Sequence, residues 1–183
     1  MQLTIFPKPY ADFVARLRVP SGFLLVAAFA WFAHPSPRSL AVGLPVSALG
    51  LVLRAWAAGH LAKNQQLTTG GPFAYVRNPL YLGTSVVAAG LATACRSPGL
   101  AILFALVFLF IYLPVIMLEE QHLRGLFPEF EQYARKVPAL IPSGKRSAGS
   151  RFSWALYQKN QEYQAFLGFM AGLAWLVWRT IWP

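Results

Sequence analysis

Long apolar runs separated by short polar breaks govern the whole chain, and this pattern predicts five membrane-length helices. Residues 20–33 are largely apolar but short of the roughly 20 residues that a crossing takes, so the first span is expected to begin near Phe13. Before it, Tyr10, Phe13, Val14 and Leu17 share one face, as in a helix lying on a membrane surface. The second span covers residues 40–60 and contains Arg54. The third covers residues 80–95 and is rich in Gly, Ala, Ser and Thr, which lets helices approach closely in lipid and places it centrally in the bundle. The fourth covers residues 100–118. The fifth, residues 166–182, belongs to a helix starting near Phe152 and ends in Trp175, Trp178 and Trp182, an aromatic belt. Residues 119–136 read as a broken interfacial helix interrupted at Gly125 and Pro128, and residues 138–151 as a polar, basic loop.

The least membrane-like stretch between spans is LTTGGPFAYVRNPLYLG, residues 67–83. Gly70, Gly71 and Pro72 forbid a regular helix, and Asn78-Pro79 is a second break, because proline lacks a donor and pushes the residue before it out of helical geometry. Non-helical backbone at a membrane must be satisfied by protein or water. With Tyr75, Arg77, Asn78 and Tyr81 in the same stretch, the loop is expected to wall a cavity.

Composition agrees with a membrane protein of one domain, residues 1–183. Charged residues make up 12% of the chain, about half the usual share, and mean hydropathy is +0.47. The net charge of +10 has no compact basic domain to carry it toward nucleic acid, and follows instead from the bias of Lys and Arg to cytoplasmic loops. A cytoplasmic N-terminus puts every Lys and Arg on one face except Arg38, Arg96 and Arg179, with Arg54 inside a span. The loop at 67–83 and the polar segment at 119–136 then emerge on that same face. The N-terminal residues do not read as a cleaved leader, since Asp12, Arg16 and Arg18 precede the first apolar run. The lone Cys95 forms no internal disulfide, and no His, Cys or Asp spacing describes a metal site.

The acids other than Asp12 all lie after residue 118, and Glu119-Glu120 sit at the lip of the fourth span. Carboxylates there are costly to desolvate unless cations, hydroxyls or a ligand's ammonium meet them. Arg77 reads either as a headgroup anchor or as part of the site. Arg54 is placed to snorkel or to pair with a buried acid, and His60 and His122 fall near the same boundary. There is no phosphate loop, dinucleotide fingerprint or nucleophile elbow. The residues alone reach an all-α integral membrane protein of about five transmembrane helices with a cytoplasmic-side polar pocket.

GGPFAYVRNPLYLG and, further on, EEQHLRGLFPEFEQYARKVPALIP resemble the signature of the isoprenylcysteine carboxyl methyltransferase and phospholipid methyltransferase group. Its pattern is G-P-Y, R-H-P or R-N-P with x-Y-x-G, then E-E-x-x-L, F-G/P-E, Y and V-P-x-x-I-P. The resemblance covers residues 54–142; the helix at 163–182 lies beyond it. It implies a methyltransferase that uses S-adenosylmethionine, releases S-adenosylhomocysteine and acts on a membrane lipid or lipidated acceptor. Gln65, Gln66, Leu67 and Thr68 would line the cofactor site, with Gly71 and Arg77 of the same loop. Phe73 stands where the group often has tyrosine, Asn78, Pro79, Leu80 and Tyr81 occupy cofactor-contacting positions, and Glu119 is the cofactor-contacting acid. Glu120 or His122 would serve as base if the acceptor arrives protonated, and Arg54 and His60 would meet the acceptor. Prenylcysteine methyltransferases carry an arginine where this chain has Val115, which turns the preference toward an amine headgroup. Two other readings differ in class: an NADPH-dependent membrane reductase, for which the loop offers only Lys63 and Arg77 as cations, and a non-catalytic lipid-binding scaffold.

Overall fold

The computed structural model describes residues 6–144 and 149–182, the side chain of Arg18 excepted. Lys145 and Arg146, counted above on the basic face, lie outside the described residues. Among the described residues the fold is all-α. Three helical stretches are long and apolar enough to cross a membrane, Pro37–Ala58, Pro98–Leu126 and Tyr163–Ile181, and a bent pair, Lys8–Leu17 with Val19–Phe32, makes a fourth. The third expected span is a helix too, Pro79–Cys95, apolar but shorter than a crossing takes, so three or four of the five expected spans have a helix of membrane-crossing length.

Helix α1 (Lys8–Phe32) bends by 51° between its halves. Pro20 lies within it, and a proline in a helix removes one hydrogen bond and clashes with the carbonyl four residues back. Helix α2 (Pro37–Ala58) starts on a reciprocal cap: Ser36 Oγ accepts from the Ser39 N–H at 3.2 Å, and Ser39 Oγ accepts from the Ser36 N–H at 2.9 Å. Helix α3 (Pro79–Cys95) runs back against it and ends at Arg96, whose φ is +53°.

The α2–α3 crossing is the spine of the molecule. A Cβ built on Gly43 would lie 2.4 Å from the Gly90 carbonyl, one on Gly50 2.6 Å from the Val87 nitrogen, and one on Gly90 2.3 Å from Ser47 Oγ. Backbone meets backbone there, the approach that small residues permit in lipid. Ser47 is fully buried and its hydroxyl donates to the Val87 carbonyl at 3.0 Å.

Helices α4 (Pro98–Val107) and α5 (Leu113–Leu126) are joined by a π-helical turn, Phe108–Tyr112. Pro114 has no N–H for the Phe110 carbonyl, and the Tyr10 hydroxyl from α1 donates to that oxygen instead, at 2.9 Å. Helix α5 continues through Gly125 to Leu126, so only one of the two expected interruptions occurs. The break is at Pro128, which holds Phe127 extended at φ −126° and ψ 110°. Helix α6 (Phe130–Lys136) follows, then a short α7 (Trp154–Lys159) and α8 (Tyr163–Ile181), so the last helix starts after a break at Asn160 rather than running unbroken from Phe152. Large apolar side chains stay exposed around the outside, among them Phe23, Trp31, Leu49, Ile102 and Ile181, as a lipid-facing surface requires.

Candidate functional site

The polar segments meet at one end of the bundle because short-range breaks and long-range pairing agree. After α2 the chain loops through residues 61–70 into a 3₁₀ turn, Gly71–Ala74. Gly71 has φ +58°, and a Cβ there would sit 2.6 Å from the His60 ring, so both conformation and space call for glycine. Beyond the turn the backbone pairs with the segment after α6. The Arg77 N–H donates to the Pro138 carbonyl at 2.9 Å, the Asn78 N–H to Ala139 at 3.2 Å, and the Ser143 N–H to Tyr75 at 2.9 Å. This satisfies amides that the Asn78-Pro79 break leaves without helical partners.

Glu119 and Glu120 are successive on α5, so they diverge by about 100° and face different elements. Glu120 takes a bidentate pair from Arg77, Nε to Oε1 at 2.9 Å and Nη2 to Oε2 at 3.0 Å, and a third hydrogen bond from Asn78 Nδ2 at 3.0 Å. Arg77 also donates through Nη1 to the Ala134 and Val137 carbonyls, each at 2.8 Å. Its guanidinium thereby ties the loop, α5 and the end of α6 together, and it is a bracket inside the protein rather than a headgroup anchor. Glu119 accepts from the Tyr81 hydroxyl at 2.9 Å. Tyr81 is buried on α3 and stands edge-on to Tyr112, ring centroids 6.0 Å apart. Tyr133 of α6 donates to the Phe73 carbonyl at 2.7 Å. Burial pushes the Tyr133 phenol above its usual range, with Arg77 pulling the other way and Glu120 adding to the rise.

These groups enclose a cavity of about 740 Å³. Gln66, Leu67 and Thr68 line it from the loop, and Phe73, Arg77 and Asn78 from beyond the turn. Leu80 and Tyr81 line it from α3, Glu119, Glu120 and His122 from α5, and Arg54 from α2. Among the expected site residues, Gln65, Gly71, Pro79 and His60 are not in its wall. Pro79 is buried at the first turn of α3. His60 is buried outside the cavity, its ring nitrogens 2.8 Å from the Trp56 carbonyl and 3.1 Å from that of Ser150, where it supports Gly71. Val115, at the position where an arginine was looked for, does face the cavity. Lys63, Thr84, Tyr112 and Tyr133 line it without having been singled out for it. Tyr133 had a signal, the tyrosine of FPEFEQY, whereas the others depended on packing. Among the described residues no group of three or more His, Cys, Asp or Glu side chains is placed to hold a metal ion.

A family model for phospholipid methyltransferases matches residues 38–129, from the start of α2 to the break after α5. The chain belongs to the phospholipid methyltransferase family. The match takes in the loop, the spine and both glutamates. The chain is 37% identical to the cobalt-zinc-cadmium resistance protein CzcN of Cupriavidus metallidurans over 58% of its length and 50% of that protein's. It is 35% identical to the nickel-cobalt-cadmium resistance protein NccN of Alcaligenes xylosoxydans xylosoxydans over 76% of its length and 62% of the relative's. It is 30% identical to the protein-S-isoprenylcysteine O-methyltransferase of Schizosaccharomyces pombe, over 74% and 59% respectively. The chain thus spans about half to three-fifths of these relatives. No solved structure matches it.

Proposed function

We propose that this phospholipid methyltransferase family member uses S-adenosylmethionine to methylate a lipophilic acceptor, an amine-headed lipid in preference to a prenylcysteine carboxylate. The carrying observation is that Phe73, Arg77, Asn78, Leu80 and Tyr81 face one cavity with Glu119 and Glu120. Its volume lies within the range of small-molecule sites, and its chemistry fits the cofactor. Glu119 is an acceptor for hydroxyls or an ammonium, and Lys63 is a cation for a carboxylate. The faces of Phe73 and Tyr81 suit an adenine or a sulfonium. When bound, S-adenosylmethionine supplies a methyl group already activated on sulfur. The chain's own task is to align the acceptor and exclude water.

Glu120, held by three donors, fastens the loop to α5. His122, exposed in the cavity wall, is the group that takes a proton from an acceptor arriving as an ammonium. The cavity is walled by the loop and the end of α5, segments that the bias of Lys and Arg assigns to the cytoplasmic side, which supports a cytoplasmic entry for the cofactor. Calorimetric titration of the purified, folded protein with S-adenosylhomocysteine tests the reading. Saturable binding is expected, and its absence overturns the proposal.

A further inference from the structure

A second cavity, of about 690 Å³, adjoins the first. Helices α1, α2, α3, α4 and α8 wall it with aliphatic and aromatic side chains, and it follows α8 from Ala165 to Trp175, about 15 Å at the rise of a helix. Arg54 and Thr84 line both cavities, so they stand where the polar one gives way to the apolar one. Arg54 is not available there as a free cation. Its Nε and Nη2 bind the two carboxylate oxygens of Glu162, at 2.6 and 2.9 Å, and its Nη1 donates to Thr84 and to the Leu80 carbonyl. Glu162 is only 8% exposed and lines neither cavity. It directly precedes α8, outside the family-matched residues 38–129, so the pair joins the family core to the last helix. The other arginine in the polar cavity, Arg77, is likewise neutralised by Glu120.

We propose that Glu162 is a specificity-determining residue. By neutralising Arg54 at the junction of the two cavities, it admits acceptors whose hydrocarbon chain lies in the apolar groove and whose head is an amine or is uncharged, and it disfavours carboxylate heads. This deepens the methyltransferase reading and rests on it for the class of acceptor. A carboxylate arriving at the junction meets a guanidinium whose bidentate face is taken and a second carboxylate behind it, so it must either displace Glu162 or remain unpaired in a poorly solvated place. An ammonium or hydroxyl head pays neither penalty. Removing the charge of Glu162 leaves Arg54 open to an incoming anion.

The test uses twelve-carbon amphiphiles brominated on the chain, with ammonium, hydroxyl or carboxylate heads, titrated into the detergent-solubilised protein. Quenching of Trp175, in the groove wall, reports binding, read as the part of the total quenching that Trp175→Phe removes. The wild type is expected to bind the carboxylate at least about tenfold more weakly than the other two. Glu162→Gln should raise carboxylate affinity about tenfold and change the others by less than about threefold. Glu162→Asp, which keeps a charge on a shorter arm, should shift the ratio the same way by a smaller factor, and it serves if the Gln variant does not fold. Arg54→Gln with Glu162→Gln, which buries no charge, should return the wild-type order. A shift that is equal for all three heads, or absent, overturns the proposal and leaves the pair a mere fastener of α8. A Trp175→Phe variant that loses no part of the quenching places the chain elsewhere and overturns it as well. Titration with S-adenosylhomocysteine in the same samples separates the two claims: cofactor binding with an unshifted head preference sinks only this one.

Discussion

The two ends of the α2–α3 pair are held by different physics. At the glycine-lined crossing, shape alone decides: Gly43, Gly50 and Gly90 let backbones touch, and no charge is involved. At the cavity end a loop joins the same helices, and charge-assisted hydrogen bonds add to the packing, with Arg77 reaching Glu120 across 43 residues and Arg54 reaching Glu162 across 108. Packed small residues give rigidity without chemistry. A loop braced by buried ion pairs leaves open space whose walls are polar, and that is where a ligand can be held.

Breaking the braces should cost most. Arg77→Ala takes the paired cation and two of three donors from Glu120, 13% exposed, and a donor from two carbonyls, and is expected to lower stability by roughly 3 kcal/mol and to abolish S-adenosylhomocysteine binding. Thermal unfolding with calorimetry on the same sample checks both. Gly43→Ala puts a methyl group against the Gly90 carbonyl and Ala94 backbone and should cost about 1–3 kcal/mol by pushing the helices apart. Its ligand affinity per folded molecule should be unchanged; a larger effect on affinity than on melting would erase the division between the two ends.

Glu119→Gln sharpens the contrast from the other side. It keeps an acceptor for Tyr81 but loses the charge, so ligand affinity should fall about tenfold, near 1.4 kcal/mol, with little change in melting. Tyr133→Phe is the mildest, about 1 kcal/mol for the bond to the Phe73 carbonyl. It also carries a pH signature. The phenol's affinity for its proton is raised on folding, so its contribution is complete below about pH 10, its unfolded value, and is lost as pH rises further. Wild-type melting points should therefore fall above that pH by more than those of the Phe variant.

Much of this architecture was written in local residues. Pro79 and Pro98 start helices, Pro128 ends one and Pro20 lies in a bent one, and the apolar runs between them had to be helices in a membrane. Gly125 misled because a single glycine is tolerated inside a helix when tertiary contacts hold both sides. The loop and the glutamate pair were legible as walls of one cavity because polar side chains at a membrane boundary are expensive unless met by partners. His60 lies near the same boundary, but its side chain meets the carbonyls of Trp56 and Ser150 rather than the cavity, a choice that spacing along the chain does not carry.

The sequence by itself determined the five apolar helices, the polar end at which 67–83 and 119–136 emerge, and the family. Only the tertiary structure decided which faces touch: the register that sets Gly43 on Gly90, the phenol of Tyr10 on the Phe110 carbonyl, and the choice of Glu162 for Arg54. The reason is the solvent. In a bilayer both the packed and the lipid-facing sides of a helix are apolar, so the periodicity that marks the buried face of a water-soluble helix fades, and the partners of a buried charge are found by packing in three dimensions rather than by spacing along the chain.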